Sequence, residues 1–187
     1  MDKTALIIAA YGLAAAAANF LGGFLVASRR LGQVALRYLI ALGAGFMLAA
    51  VFIKLIPESL EQWRGEKVLP MLWVLAGYML IQFVEHTLAP HFHFGEETHE
   101  EAMLRHHAAL AVGMATFIGV ALVLAFRHVA VASLPLSAHV LPLSAGVTLY
   151  VAASDLIPEV NKEPGVRIAL VVFIGVGLLA LLRYYFH

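Results

Sequence analysis

Six of the nine histidines fall between His86 and His107, in a stretch that also holds Glu85, Glu96, Glu97, Glu100 and Glu101. Neutral imidazole together with carboxylate suits zinc and related divalent ions. His91 and His93 flank a single residue, so in an extended segment both project to the same side. If the chain from Glu96 is helical, His99 and His106 share a face, with His107 beside them. The set His91, His93, His99, His106 and His107 therefore reads as a cation-binding loop. Its spacing lacks the closed tetrahedral pattern of a structural zinc site, which points to labile binding. Such binding weakens as pH falls, because protonated imidazole does not coordinate. The chain contains no cysteine, which excludes thiolate sites, disulfides and cysteine nucleophiles.

A second set of polar groups lies within apolar stretches. Asp155 is the deepest acid, and Lys54 stands at the matching point of another stretch. Glu58 and Glu159 each follow four residues later. An uncompensated charge at membrane depth costs at least about 2.5 kcal/mol, so such a residue implies function unless it is paired or can reach the interface. Lys54 can snorkel or pair with Glu58 at i,i+4. Asp155, Glu58 and Glu159 are the candidate pathway ligands for a cation. Asn19, in mid-stretch, reads as an interhelical hydrogen-bonding group. No phosphate-cradling glycine loop, GxSxG or HExxH is present, so the sequence does not read as an enzyme.

The elements that carry these groups follow from composition. The 187 residues are 62% hydrophobic and 13% charged, with mean hydropathy +0.89. Soluble domains are about 45–50% apolar and about 25% charged. A membrane protein is implied, with the lipid bilayer as its first partner. Net charge is zero, which argues against nucleic acid. A spanning helix needs about 20 apolar residues. Six stretches qualify: Thr4–Ser28, Ala35–Ser59, Val68–Leu88, Ala108–Phe126, Ala138–Val160 and Val166–Phe186. Pro135 and Pro142 interrupt the chain between the fourth and fifth. Arg29, Arg30 and Arg37 follow the first span and favour an outside N-terminus.

Two of these spans repeat one another. Residues 42–58 read LGAGFMLAAVFIKLIPE and residues 143–159 read LSAGVTLYVAASDLIPE. At an offset of 101, the Ala-Gly pair and the contiguous LIPE both coincide. An odd number of crossings separates the two, so they run antiparallel. That is an inverted repeat of three helices plus three, a pattern typical of secondary transporters. The predicted fold is an all-α polytopic membrane bundle of six helices. It is one membrane domain over 1–187, divided into a first repeat (1–89), a His/Glu-rich cytoplasmic loop (90–107) and a second repeat (108–187).

LGAGFMLAAVFIKLIPESLE resembles the second transmembrane helix of ZIP (Zrt/Irt-like) divalent metal transporters. LPLSAGVTLYVAASDLIPEVNKE, residues 141–163, resembles their seventh. ANFLGGFLV, residues 18–26, is similar to the end of their first, and the third span with its His/Glu loop is similar to their third helix and cytoplasmic loop. The resemblance implies eight helices in a 3+2+3 arrangement that move zinc, iron, manganese or similar ions inward. In the family the central pair holds the metal, through motifs of the type HNxxDG and HExPEG. Neither motif occurs here, and six spans fit a shortened form without that pair.

The expected activity is therefore transport of a divalent cation. Zinc leads, with iron, manganese and cadmium as the other candidates. The alternative is a metal-binding or regulatory membrane protein of the same descent that does not transport. The apolar face left by the missing pair implies a homo-oligomer. The short loops point to a bacterial cytoplasmic membrane.

Overall fold

The computed structural model describes residues 3–28, 32–88, 101–126, 128–131, 133–162 and 165–186. It is helical almost throughout. The chain runs α1 (Lys3–Ser28), α2 (Gln33–Ala49), a π-helical turn π1 (Ala50–Leu55), α3 (Ile56–Gln62), α4 (Val68–Leu88) and α5 (Glu101–Phe126). A short strand pair follows, β1 (Ala130–Val131) and β2 (Leu134–Pro135). Then come α6 (Leu136–Tyr150), a second π-helical turn π2 (Val151–Leu156), α7 (Ile157–Asn161) and α8 (Val166–Phe186). Each π turn is continuous with its flanking helices, so α2–π1–α3 and α6–π2–α7 are two long rods.

Five helical stretches among the described residues are long and apolar enough to cross a bilayer: Ala5–Gly22, Val34–Gln62, Val68–Thr87, Leu136–Asn161 and Val166–Tyr185. In α5 the described apolar run is Met114–Phe126. Ahead of the expected span start at Ala108 the described chain from Glu101 is already helical, in keeping with Glu, Ala, Met, Leu and Arg as good helix formers. The distribution of side chains confirms the solvent. Most of the buried apolar residues are alanines, among them Ala16, Ala41, Ala44, Ala145 and Ala152, while Phe52, Phe83 and Phe173 face outward. In lipid, large apolar side chains gain little by hiding, and small ones let helix backbones approach.

The helices form two compact units. In one, α1 packs against α5. Asn19 Nδ2 donates to Thr116 Oγ1 at 3.0 Å, the interhelical bond expected of a mid-span asparagine. Asn19→Val should cost about 0.6 kcal/mol, and no more than about 1.7. Unfolding in mixed detergent micelles measures it, and a neutral result would show that the bond is idle.

The other unit holds both rods with α4 and α8. Here α2 packs on α8, and α4 on α6. At each crossing, glycines let backbone meet backbone. A Cβ on Gly45 would fall on the carbonyl oxygen of Val172, and one on Gly175 on that of Leu42. A Cβ on Gly146 would fall on the carbonyl oxygen of Val74, and one on Gly77 on that of Leu143. Both pairs of contacts run in opposite chain directions, so each helix pair is antiparallel. The two crossings also correspond. The offset of 101 carries Gly45 onto Gly146 and Leu42 onto Leu143, and an offset of 98 carries Val74 onto Val172 and Gly77 onto Gly175. Each rod thus packs on the helix that follows the other rod.

The π turns obey the same offset, and each is followed by a proline, Pro57 or Pro158. Proline has no N–H, and its ring crowds the carbonyl four residues back. A widened turn relieves that crowding. Its hydrogen bonds run five residues back, from Ile56 N–H to Val51 O and from Ile157 N–H to Ala152 O.

Pro142 does not interrupt its span, contrary to the expectation from sequence. It lies buried inside α6. The missing N–H frees the carbonyl of Ala138, and Trp63 Nε1 donates to that oxygen at 2.8 Å. Trp63 and Trp73 also meet the buried His139 ring edge-on, at 5.0 and 5.5 Å between centroids. Trp63→Phe keeps an aromatic ring but orphans the carbonyl, a loss of about 1–3 kcal/mol. In a Pro142→Ala background the backbone can reclaim that oxygen. A double-mutant cycle read by unfolding should therefore show the Trp63→Phe penalty shrinking there, and an unchanged penalty would refute the account.

Candidate functional site: an acidic and hydroxyl cluster between α4 and the second rod

An α-helix places residues seven apart on one face and residues four apart nearly so. On α4 that rule brings Tyr78 and Glu85 to the same side. On the second rod Tyr150 ends α6 and Ser154 lies within π2, and both reach α4. The two sides meet. The Tyr150 hydroxyl donates to Glu85 Oε2 at 2.5 Å. The Tyr78 and Ser154 hydroxyls are hydrogen-bonded at 2.9 Å. The two tyrosine rings pack edge-on with centroids 5.0 Å apart.

Asp155 joins this group through π2. In an unbroken α-helix it would point about 140° away from Tyr150, at 3.6 residues per turn. In a π turn, residues five apart are hydrogen-bonded and stack along the axis. Asp155 therefore falls on the Tyr150 face, half-buried, within electrostatic reach of Glu85 and Tyr150. Above it along the rod, Thr148 and Ser144 turn their hydroxyls to their own backbone, at 2.8 Å to Ser144 O and 2.7 Å to Leu141 O. The cluster offers oxygen donors only: two carboxylates, two phenols and a serine. Such a set can receive a cation or a proton.

The corresponding positions of the other helix pair carry the opposite sign. The offsets take Asp155 to Lys54 and Glu85 to Arg183, while Tyr78, Tyr150 and Ser154 go to Val176, Ala49 and Ile53. Lys54 is exposed, and no ion pair joins it to Glu58. Lys54 lies near the end of π1 and Glu58 in α3, and the pairing expected at i,i+4 is not made. Glu58 is exposed in the first turn of α3. Glu159, in the first turn of α7, is paired with Lys162 Nζ at 2.5 Å. Neither is hydrogen-bonded into the cluster around Asp155.

His91, His93 and His99 lie outside the described residues. His106 and His107 fall on the backbone of α5, and their side chains are likewise outside the description. His86 is exposed at the end of α4, with Nδ1 2.9 Å from Gln82 O. Among the described residues no group of three or more His, Asp or Glu is arranged to hold a metal. Sequence reasoning missed Tyr78 and Tyr150. The seven-residue spacing of Tyr78 and Glu85 on α4 was the available signal.

The fold and the cluster define a polytopic helical membrane protein with a polar, acid-lined contact inside one helix pair. The model of the ZIP zinc transporter family matches residues 4–110, more than half of the chain. The chain belongs to that family, which comprises divalent metal transporters and not enzymes. The match takes in α1, the first rod, α4 and the start of α5. Comparisons with curated proteins and with solved structures return no match.

Proposed function

We propose that this chain carries zinc across the membrane, along a path on which Asp155 and Glu85 are the acidic station. The observation behind the reading is the hydrogen bond from Tyr150 to Glu85 between α4 and the second rod, with Asp155 of π2 on the same side. The opposite helix pair has bases at the same positions, so a cation would be favoured on one side only. α5 is the sixth crossing in this reading, and the six helices form an inverted 3+3 repeat over 1–89 and 108–187. Glu58 and Glu159 sit at the ends of the rods as secondary ligands. His91, His93, His99, His106 and His107 take the ion up on the cytoplasmic face. The working form is a homo-oligomer in a bacterial cytoplasmic membrane.

The test is uptake of zinc by proteoliposomes of the purified protein beside empty liposomes, with iron, manganese and cadmium as competitors. Zinc uptake above background, blocked most strongly by zinc itself, is the expected result. Binding of zinc without uptake would replace this reading with that of a non-transporting metal-binding protein. Preferential uptake of manganese or iron would keep transport and overturn zinc.

A further inference from the structure

We infer that π2 is a two-position register switch, and that its change between π and α geometry joins Asp155 to the α4 cluster or withdraws it. This inference rests on the reading of Asp155 as a pathway acid. Three observations carry it. First, a π turn holds one more residue than the α-helix around it. Returning it to α geometry rotates one side of the rod against the other by about 100° and shifts it by about 1.5 Å. Asp155 lies within π2 and Tyr150 just before it, so that rotation separates Asp155 from Tyr150 and Glu85. The change is stepwise, because hydrogen bonds run either four or five residues back.

Second, Pro158 makes the two positions similar in cost. In α geometry its N–H would serve Ser154 O, and in π geometry Ala153 O. Proline supplies neither, so one bond is missing either way. Third, the surroundings leave room to turn. π2 contributes Ala152 and Ala153, and α2, which packs on it, buries Ala41, Ala44 and Ala49. At the turn itself a step of about 100° past alanines displaces little volume, and the larger rearrangement falls on α7, which packs on α2 and takes the buried Val160 with it. The polar bonds at stake, Tyr78 to Ser154 and Tyr150 to Glu85, can break and re-form without disturbing the glycine crossing at Gly77 and Gly146.

Deleting Ala153 separates a switch from a fixed scaffold. Removing one residue takes away the wide turn and puts Tyr150 and Asp155 four apart in α register. Asp155 then stays on the Tyr150 face and cannot leave it. The deletion variant should bind zinc as the parent does, while its uptake falls to the empty-liposome background. Uptake at the parent rate would overturn the switch.

Because a deletion can fail to fold, a second measurement uses the whole chain, whose natural lack of cysteine permits clean labelling. Spin labels at Val140→Cys and Asn161→Cys, both exposed on the second rod, report the rotation of α7 against α6. In nanodiscs the full chain should show two distances, with zinc changing their ratio. A single distance unaffected by zinc overturns the switch, whatever the deletion does. Two distances in a parent protein that takes up no zinc would keep the switch and end the transport reading. Uptake with one distance would do the reverse.

Discussion

Asp155→Asn should abolish zinc uptake in proteoliposomes and leave the bundle folded. The substitution keeps size and hydrogen-bonding capacity but removes the charge that a divalent cation needs to replace its water. Asp155 makes none of the hydrogen bonds that join α4 to the second rod; those belong to Tyr150, Glu85, Tyr78 and Ser154. Its loss therefore spares packing. Glu85→Gln should reduce uptake strongly as well, and it still offers an oxygen to the Tyr150 hydroxyl. Tyr150→Phe should have the smallest effect of the three, since it frees Glu85 to move without discharging it. The order separates a cation station from a structural network. If Tyr150→Phe proved worse than Asp155→Asn, the cluster would be holding helices together and the ion would pass elsewhere. Unfolding midpoints measured beside uptake keep the two effects apart.

The parts of this molecule that were legible from sequence are those set by local pattern. Length and apolarity give the helices, and the repeated LIPE gives the equivalence of the two rods. Asn19, isolated in apolar sequence, could be expected to hydrogen-bond across helices, and it reaches Thr116. What stayed hidden depends on which surfaces meet. Small residues occur on every span, so nothing local says that α2 packs on α8 and α4 on α6. The π turns were hidden too. The prolines at 57 and 158 were visible, but a proline can kink a helix, end it or widen the turn before it, and the packing decides. Because π2 was hidden, no helical spacing placed Asp155 on the Tyr150 side, and Glu85 stood only among the groups around the histidines. Pro142 illustrates the reverse error. Its effect on α6 was overestimated because the indole that serves the freed carbonyl comes from Trp63, far away in the chain.

Gly175 and Gly177 stand one turn-fraction apart on α8, and substituting them by alanine should move stability in opposite directions. At Gly175 the new methyl would collide with the backbone carbonyl of Leu42, an atom that cannot turn aside. Relief requires α2 and α8 to separate along their crossing, which also loosens Gly45 against Val172. Overpacking of this kind costs about 1–3 kcal/mol. At Gly177 nothing lies within 4 Å of the added carbon. There alanine only removes the entropic penalty of a helical glycine, a gain of about 0.5–1 kcal/mol. The same logic makes Gly146→Ala damaging, since its methyl would meet the carbonyl of Val74. Damage at Gly146 should also reach the proposed cation station, because the α4–α6 crossing holds Tyr78 and Glu85 against the second rod. Gly175→Ala, on the helix pair that lacks the cluster, should lower the unfolding midpoint with a smaller loss of uptake per unit of stability lost. Equal midpoints for Gly175→Ala and Gly177→Ala would sink the close-approach account. Equal uptake losses for Gly146→Ala and Gly175→Ala at matched stability would sink the assignment of the cation path to one helix pair.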